Sequence, residues 1–400
     1  MSVFNEFFFQ EQGGYDPGLV GNSLRFRSGV NQVLKFVPTA TGNLTTGTFS
    51  LWMKRGRLVA NGPTIISSGD GGILFSLEGI AAVELGQIRC YASDFAGNDP
   101  FGTSTITDSF RDHSAWYHIV IAYDSNNTSF YRNNRIKVWV NNRLTNYPDV
   151  AGNSGGSTTM FQAGQTIYIG GNKFVPSGDT NADYYLAEIH AVDGQALDPT
   201  SFGEFNDDGV WVPIDVTGLT YGVNGWYLDF SDPADIGADR SGNGNNFTPT
   251  GFELTNTTST SYDWMADSPT NNHATFNPAY PRNVDGGESE YYERANLYHD
   301  SGRRPPHVPF TTISCEPGGQ YAFEINYENI SGNTNHFPSW NLSYPNADGR
   351  YDGTNYRTAA SYDGYSGSFF DFDNITGSGG SFTGSGIIGI VWDRVTDRLT

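Results

Sequence analysis

The sequence predicts an all-β protein built from sandwich domains, on three observations. Aromatic residues make up 14% of the 400 residues, with 49 Gly, a composition suited to pleated surfaces joined by tight turns. Apolar residues alternate with period two through short runs, as in strands that turn one face to a core. The runs recur at short intervals between clusters of Gly, Pro, Asn, Asp and Ser, the spacing of a sandwich.

The pattern is strongest over residues 114–145. Trp116, His118, Val120 and Ala122 fall on one face of a strand, and Tyr117, Ile119, Ile121 and Tyr123 on the other. Both faces are largely apolar, so the strand is expected to be covered on both sides. Trp116, Ile119 and Val138 are expected together in one sandwich core. A polar loop, Ser125–Asn134, leads to a second strand with Ile136, Val138 and Val140 on one face. Asn141 and Asn142 close it, and Asn tolerates positive φ well enough for a tight hairpin turn.

The remaining elements follow in order. Residues 1–17 carry Phe4, Phe7, Phe8 and Phe9 before Gly13-Gly14 and form a terminal peptide too short to bury its own aromatics. It either docks on the first domain or inserts into a partner protein. Strands are expected at 23–27, 47–56 (Phe49, Leu51 and Met53 on one face, Trp52 on the other), 64–68, 73–77, 87–91, 165–171 and 184–193. Thr200–Phe205 has the only helical pattern in this half. Residues 255–289 are rich in Thr, Ser, Asn and Pro and form an expected linker, with Trp264 and Phe276 packing against something. A second β unit, 290–400, contains the strand Gly319–Tyr327 and the buried run Gly386–Arg394.

The series F-S-L-W-M-K, W-Y-H-I-V-I-A-Y-D, V-W-V-N-N, I-Y-I-G-G and Y-L-A-E-I-H-A-V-D-G-Q-A-L-D resembles, in this order, the laminin G-like branch of the concanavalin A-like jelly rolls. Asn142 stands where that family has Gly. The resemblance implies a jelly roll over 18–254 and a binding module more than an enzyme. Y-L-D-F followed by D-R-S-G-N-G-N-N (239–246), D-S-P-T-N-N (267–272) and the opening F-N-E-F are similar to segments of bacteriophage structural proteins. This resemblance implies a virion fibre or spike protein, made in the host cytoplasm and anchored through its N-terminus. The strands after 290 resemble SPRY-type sandwiches, and the pattern stops at Thr400 before its closing strands. The expected fold class is therefore all-β, a concanavalin A-like jelly roll plus a second, incomplete SPRY-like sandwich.

Charge narrows the partners. The formal net charge is −21 and Lys and Arg total 22, scattered along the chain, so no basic stripe is present for nucleic acid or an anionic membrane. No apolar run is long enough to span a bilayer, and MSVFNEFFFQEQ lacks the basic start of a signal peptide. Cys90 and Cys315 fall in different predicted domains and are expected as free thiols.

Each candidate site has a plainer structural alternative. Asp94, Asp99, Asp124, Asp179 and Asp183 sit in loops at strand ends, where carboxylates could hold Ca²⁺ or simply cap turns. Phe95, Phe101, Tyr131, Phe174 and Tyr184 could stack on sugars or cap the local core. Glu288, Glu290 and Glu293 have the E-x-E-x-x-E spacing of a retaining glycosidase strand but lie outside the jelly roll. Gly152–Gly156 fits G-x-S-x-G without the strand and helix that a nucleophile elbow requires. No catalytic residue is assigned, and His118 is expected as a satisfied core histidine.

The expected function is virion attachment through Phe4, Phe7, Phe8 and Phe9, with host-surface glycan or protein binding by the β domains, in a homo-oligomer with a trimer favoured. No cofactor is required. The alternative is an extracellular polysaccharide-binding or glucanase-like protein.

Overall fold

The computed structural model describes residues 19–27, 29–56, 63–69, 88, 108, 110–126, 135–145, 160–171, 183–255 and 262–272 with their side chains, and further strands by backbone. In chain order the strands up to residue 272 are β1 (Ser23–Phe26), β2 (Val33–Phe36), β3 (Thr46–Arg55), β4 (Thr64–Ser68), β5 (Leu74–Ile80), β6 (Val83–Tyr91), β7 (Ser104–Thr105), β8 (Trp116–Asp124), β9 (Ile136–Val140), β10 (Arg143–Leu144), β11 (Ile167–Ile169), β12 (Tyr184–Asp193), β13 (Gly203–Phe205), β14 (Trp211–Pro213), β15 (Trp226–Leu228), β16 (Thr248–Thr250) and β17 (Trp264–Met265).

Two antiparallel sheets form the sandwich. One runs β10-β9-β8-β3-β12-β1-β17, with β15 also on β12, and the other β16-β2-β11-β4-β5-β6-β7. Their facing side chains make one core, including Phe49, Leu51, Met53, Ile119, Ile121 and Val138 from the first sheet and Leu34, Ile66, Ile88, Ile167 and Ile169 from the second. The alternation expected in β3 and β8 holds. β8 is buried along nearly its whole length because its second face is covered as well. Asn141 and Asn142 both take positive φ, 49° and 62°, and join β9 to β10 in the expected tight hairpin.

Three expectations change. Trp116 is buried, but on the opposite face of the first sheet from Ile119 and Val138, in a second cluster with Trp52, Tyr185 and Trp211. Odd and even positions of one strand cannot share a face. The helical pattern at Thr200–Phe205 is one 3-10 turn at Pro199–Ser201, capped by Asp198, followed by strand β13. Asp198 Oδ1 accepts from the Thr200 amide at 2.9 Å, which supports that turn and no further one.

Residues 262–272, assigned by composition to a linker, are built into the jelly roll. β17 pairs with β1. Asp263, with no exposure, accepts from Arg27 Nε at 2.6 Å, Gln32 Nε2 at 2.6 Å and the Glu253 amide at 2.9 Å, and lies 3.4 Å from Arg25 Nε. The segment is polar because it neutralises buried cations, so composition alone hides its role.

The D-R-S-G-N-G-N-N stretch also has a defined job. Asp239 accepts from the amides of Tyr227, Ser241 and Asn245 at 2.8–2.9 Å. Asn243 and Asn245 donate to the Gly225 carbonyl at 2.8 and 2.9 Å. Gly225 is required there, since a Cβ would overlap the carbonyls of Tyr221 and Ala191.

Beyond residue 272 the backbone forms β18 (Tyr291–Glu293), β19 (Tyr298–Asp300), β20 (Gln320–Tyr327), β21 (Trp340–Ser343), β22 (Thr358–Asp363), β23 (Ser368–Asp371), β24 (Asn374–Ser378), β25 (Gly386–Asp393) and β26 (Arg398–Leu399). They pair as β18-β19, β20-β25-β26 and β21-β22-β23-β24. In the β20/β25 register, Tyr321, Phe323 and Ile325 pair with Trp392, Ile390 and Ile388. The chain divides into two compact units, Gln12–Pro278 with Tyr292–His299, and Asp300–Thr400 with Ala279–Tyr291 and Met1–Glu11.

Candidate functional site

The outer face of the first sheet carries an unusual set of rings. β3 and β8 place Trp52 opposite His118, and the two rings stack at 4.8 Å. The chain returns over this face through Phe202 and the β13–β14 hairpin. Trp211 lies nearly parallel to His118 at its edge, with ring centroids 6.0 Å apart. Its Nε1–H donates to His118 Nδ1 at 2.9 Å. An indole N–H can only donate, so Nδ1 is the acceptor and Nε2–H donates to Ser50 Oγ at 2.8 Å. Burial, helped by the neighbouring His190, lowers the His118 pKa to about 3, and the imidazole is neutral.

His190 forms a second set. β12 bulges between Ala187 and His190, at the point where its free edge passes from β1 to β15. The bulge puts Glu188 at φ 47°, a conformation that costs a non-glycine residue energy and is common at functional sites. Tyr227 stacks on His190 at 4.1 Å, and its hydroxyl donates to Glu188 Oε2 at 2.6 Å. Tyr221 Oη lies 2.8 Å from His190 Nδ1. Burial, with smaller contributions from Asp229 and Asp215, raises the Glu188 pKa to about 8. Burial lowers His190 to about 3. The 3.8 Å approach of His190 to Glu188 is therefore a contact of two neutral groups at neutral pH, not an ion pair.

Trp211 also braces an exposed aromatic. Phe205, at the end of β13, is 57% exposed and packs edge-on against Trp211 at 5.0 Å. Asn206 ties the hairpin turn by accepting from the Asp208 and Val210 amides at 3.1 and 2.8 Å. Glu204, Asp207 and Asp208 are exposed in the same hairpin, with Glu204 on the face of β13 opposite Phe205. The result is a hairpin that presents an aromatic ring to solvent and carries exposed acidic residues. Chemically it can stack and hydrogen-bond, and the histidines behind it are held neutral by burial.

The sequence candidates are distributed differently. Tyr184 is fully buried, stacked on Phe26 at 4.9 Å in the sandwich core, so it is no loop aromatic. Phe95, Phe101, Tyr131 and Phe174 lie outside the described residues, as do Phe4, Phe7, Phe8 and Phe9. So do Asp94, Asp99 and Asp179. Asp124 pairs with Thr46 at the start of β3, whereas Asp183 precedes the pairing of Tyr184 with Arg55 at its end. At about 3.3 Å per residue the two carboxylates lie roughly 30 Å apart and cannot share a cation. Among the described residues no three His, Cys, Asp or Glu side chains are grouped to hold a metal ion. Glu288 and Glu290 lie outside the described residues, and Glu293 is placed by its backbone alone. Among the described residues no helix is long and apolar enough to cross a membrane.

Residues 28–197 match the family model of the concanavalin A-like lectin/glucanases superfamily. This part of the chain is a concanavalin A-like jelly roll. No curated protein matches the chain. Solved structures with a similar fold include a heptameric SAP-like pentraxin from Limulus polyphemus, 16% identical, covering 45% of this chain and 78% of that one with a TM-score of 0.33. A Bacteroides ovatus protein assigned to carbohydrate binding is 15% identical over 57% of this chain and 58% of its own, with a TM-score of 0.37. The botulinum neurotoxin serotype D binding domain is 16% identical over 45% of each chain, with a TM-score of 0.28. The chain thus spans about half the length of the latter two.

Phe205 and Trp211 escape a reading of the sequence alone because Thr200–Phe205 has a helical pattern. The apolar pair at 205 and 211 around N-D-D-G is the available hairpin signal.

Proposed function

We propose that the chain is a non-enzymatic bacteriophage virion protein of fibre or spike type, whose jelly roll binds host-surface glycan. The observation that carries the binding role is the exposed Phe205 ring, held by Trp211 on a hairpin with exposed acidic residues, on a lectin-like β-sandwich. Sugars offer an apolar C–H face to an aromatic ring and hydroxyls to surrounding acceptors.

The virion role rests on the segment order that resembles phage structural proteins and on the aromatic N-terminal peptide, Phe4 and Phe7–Phe9. In this reading the peptide inserts into another virion protein, the strands after residue 290 form a SPRY-like sandwich, and the chain assembles as a homotrimer. Closed symmetry multiplies a weak anchor or a weak glycan contact.

A glycan array read with and without Ca²⁺ tests the binding role. Phe205→Ala should lower affinity for the bound glycan about tenfold, the worth of one aromatic contact near 1.4 kcal/mol, and leave the melting temperature within a degree or two. Binding unchanged in Phe205→Ala would move the site elsewhere. No glycan bound at all would remove the lectin role. Deletion of residues 1–15 should give a folded protein that no longer joins particles, and a mutant still incorporated would refute the anchor.

A further inference from the structure

A lysine, a carboxylate and a carboxamide meet where β3 ends. The Lys54 side chain has no exposure and that of Asp267 only 3%. Lys54 Nζ donates to Asp267 Oδ2 at 2.8 Å and to Asn272 Oδ1 at 2.8 Å. Asp267 Oδ1 accepts from Trp116 Nε1 at 3.0 Å, so that oxygen is fixed while Oδ2 faces the amine. Asn272 Nδ2 donates to the Ser114 carbonyl at 2.7 Å, which pins the carboxamide. Trp116 and Tyr185, ring to ring at 6.4 Å, stand beside Lys54 on the neighbouring strands.

Two features go beyond an ordinary ion pair. A C=O bond is about 1.2 Å long, so an amine 2.8 Å from the amide oxygen is within about 4 Å of the amide carbon. Burial also lowers the Lys54 pKa, against the opposing charges of Asp267 and Asp112, and desolvation makes a lysine amine nucleophilic.

We propose that Lys54 and Asn272 join in an intramolecular isopeptide bond, with Asp267 as the proton relay. The ammonium passes one proton to Asp267 Oδ2. The neutral Nζ then attacks Cγ of Asn272. The protonated Asp267 donates to the amide oxygen as the tetrahedral centre forms and takes the proton back as it collapses. A second Nζ proton reaches Nδ2, the Cγ–Nδ2 bond breaks and ammonia leaves. One amide replaces another, no oxidant or cofactor is consumed, and Asp267 can return to its carboxylate form. Asn272 is exposed, so ammonia has a route to solvent.

The bond would close a loop spanning 218 positions and tie β3 to the end of the segment that follows β17. Peeling residues 262–272 away from the sandwich would then require breaking a covalent bond, a useful property in a protein that bears load or meets proteases.

The purified full chain should weigh one ammonia less than its sequence, and a protease digest should contain a branched peptide joining Lys54 to Asn272. Lys54→Arg, which keeps the charge, should have the full mass and no branched peptide. Asp267→Asn should form the bond much more slowly. A folded wild-type chain that keeps its full sequence mass after prolonged incubation at neutral and mildly alkaline pH overturns the proposal. Ammonia loss mapped to any other residue does so too. Both overturning results are measured on the wild-type protein, so a variant that misfolds does not blunt the test.

Discussion

Glu188→Gln isolates one buried carboxyl and makes a signed prediction about pH. The ordinary carboxyl value is 4.5, and burial raises it to about 8 in the folded protein. A raised folded pKa means that the native state holds the proton more tightly than the unfolded chain. The stabilisation is fully present below pH 4.5, shrinks as pH rises from there, and is gone above pH 8. The buried histidines act with the opposite sign. His118 and His190 are lowered from 6.5 to about 3 and His113 to about 4, so their contribution is complete above pH 6.5 and lost as pH falls through the folded values. Between pH 6.5 and 8 the carboxyl therefore acts with little interference from these imidazoles. At 1.36 kcal/mol per unit, stability should fall by about 2 kcal/mol across that window. Urea unfolding at several pH values measures it, with the slope m held constant as the check on two-state behaviour. Gln keeps an oxygen to accept from Tyr227 and cannot ionise, so Glu188→Gln should flatten the profile. A wild-type profile no steeper than that of the variant would refute the buried, protonated carboxyl.

Asp263→Ala should cost about 3–5 kcal/mol, because it leaves Arg25 and Arg27 buried without their carboxylate; a loss under about 1 kcal/mol by denaturant unfolding would show that residues 262–272 are not integral to the domain. Trp116→Ala should also cost about 3–5 kcal/mol, and the loss should be reported by the outer cluster with Trp52, Tyr185 and Trp211, not by the inter-sheet core. Near-ultraviolet circular dichroism of these indoles checks the assignment, and an unchanged spectrum would contradict it.

The strands of the jelly roll were legible because a strand with one face to a core must alternate apolar and polar residues. β3 and β9 show this directly, β8 is apolar on both faces because both are covered, and Asn141-Asn142 marked its hairpin because few residue pairs accept two positive φ values. The bulge in β12 was also written in the chain, as a break in phase: Leu186 and Ile189 both face the core, three positions apart where a regular strand requires two. Its consequence was not written there. Only the fold brings Tyr227 and Tyr221 against His190 and withdraws Glu188 from water, and a pKa is set by that environment, not by residue type.

Residues 262–272 show the same division. Local composition made them a linker, since Asp, Ser, Thr and Asn carry no hydrophobic period. Tertiary structure made them part of the domain, since Asp263 and Asp267 meet Arg25, Arg27 and Lys54 across more than 200 positions of sequence. Alternation is a property of neighbours in the chain and can be read there. The pairing of buried charges, and with it the meeting of Lys54, Asp267 and Asn272, depends on distances that only the folded chain creates.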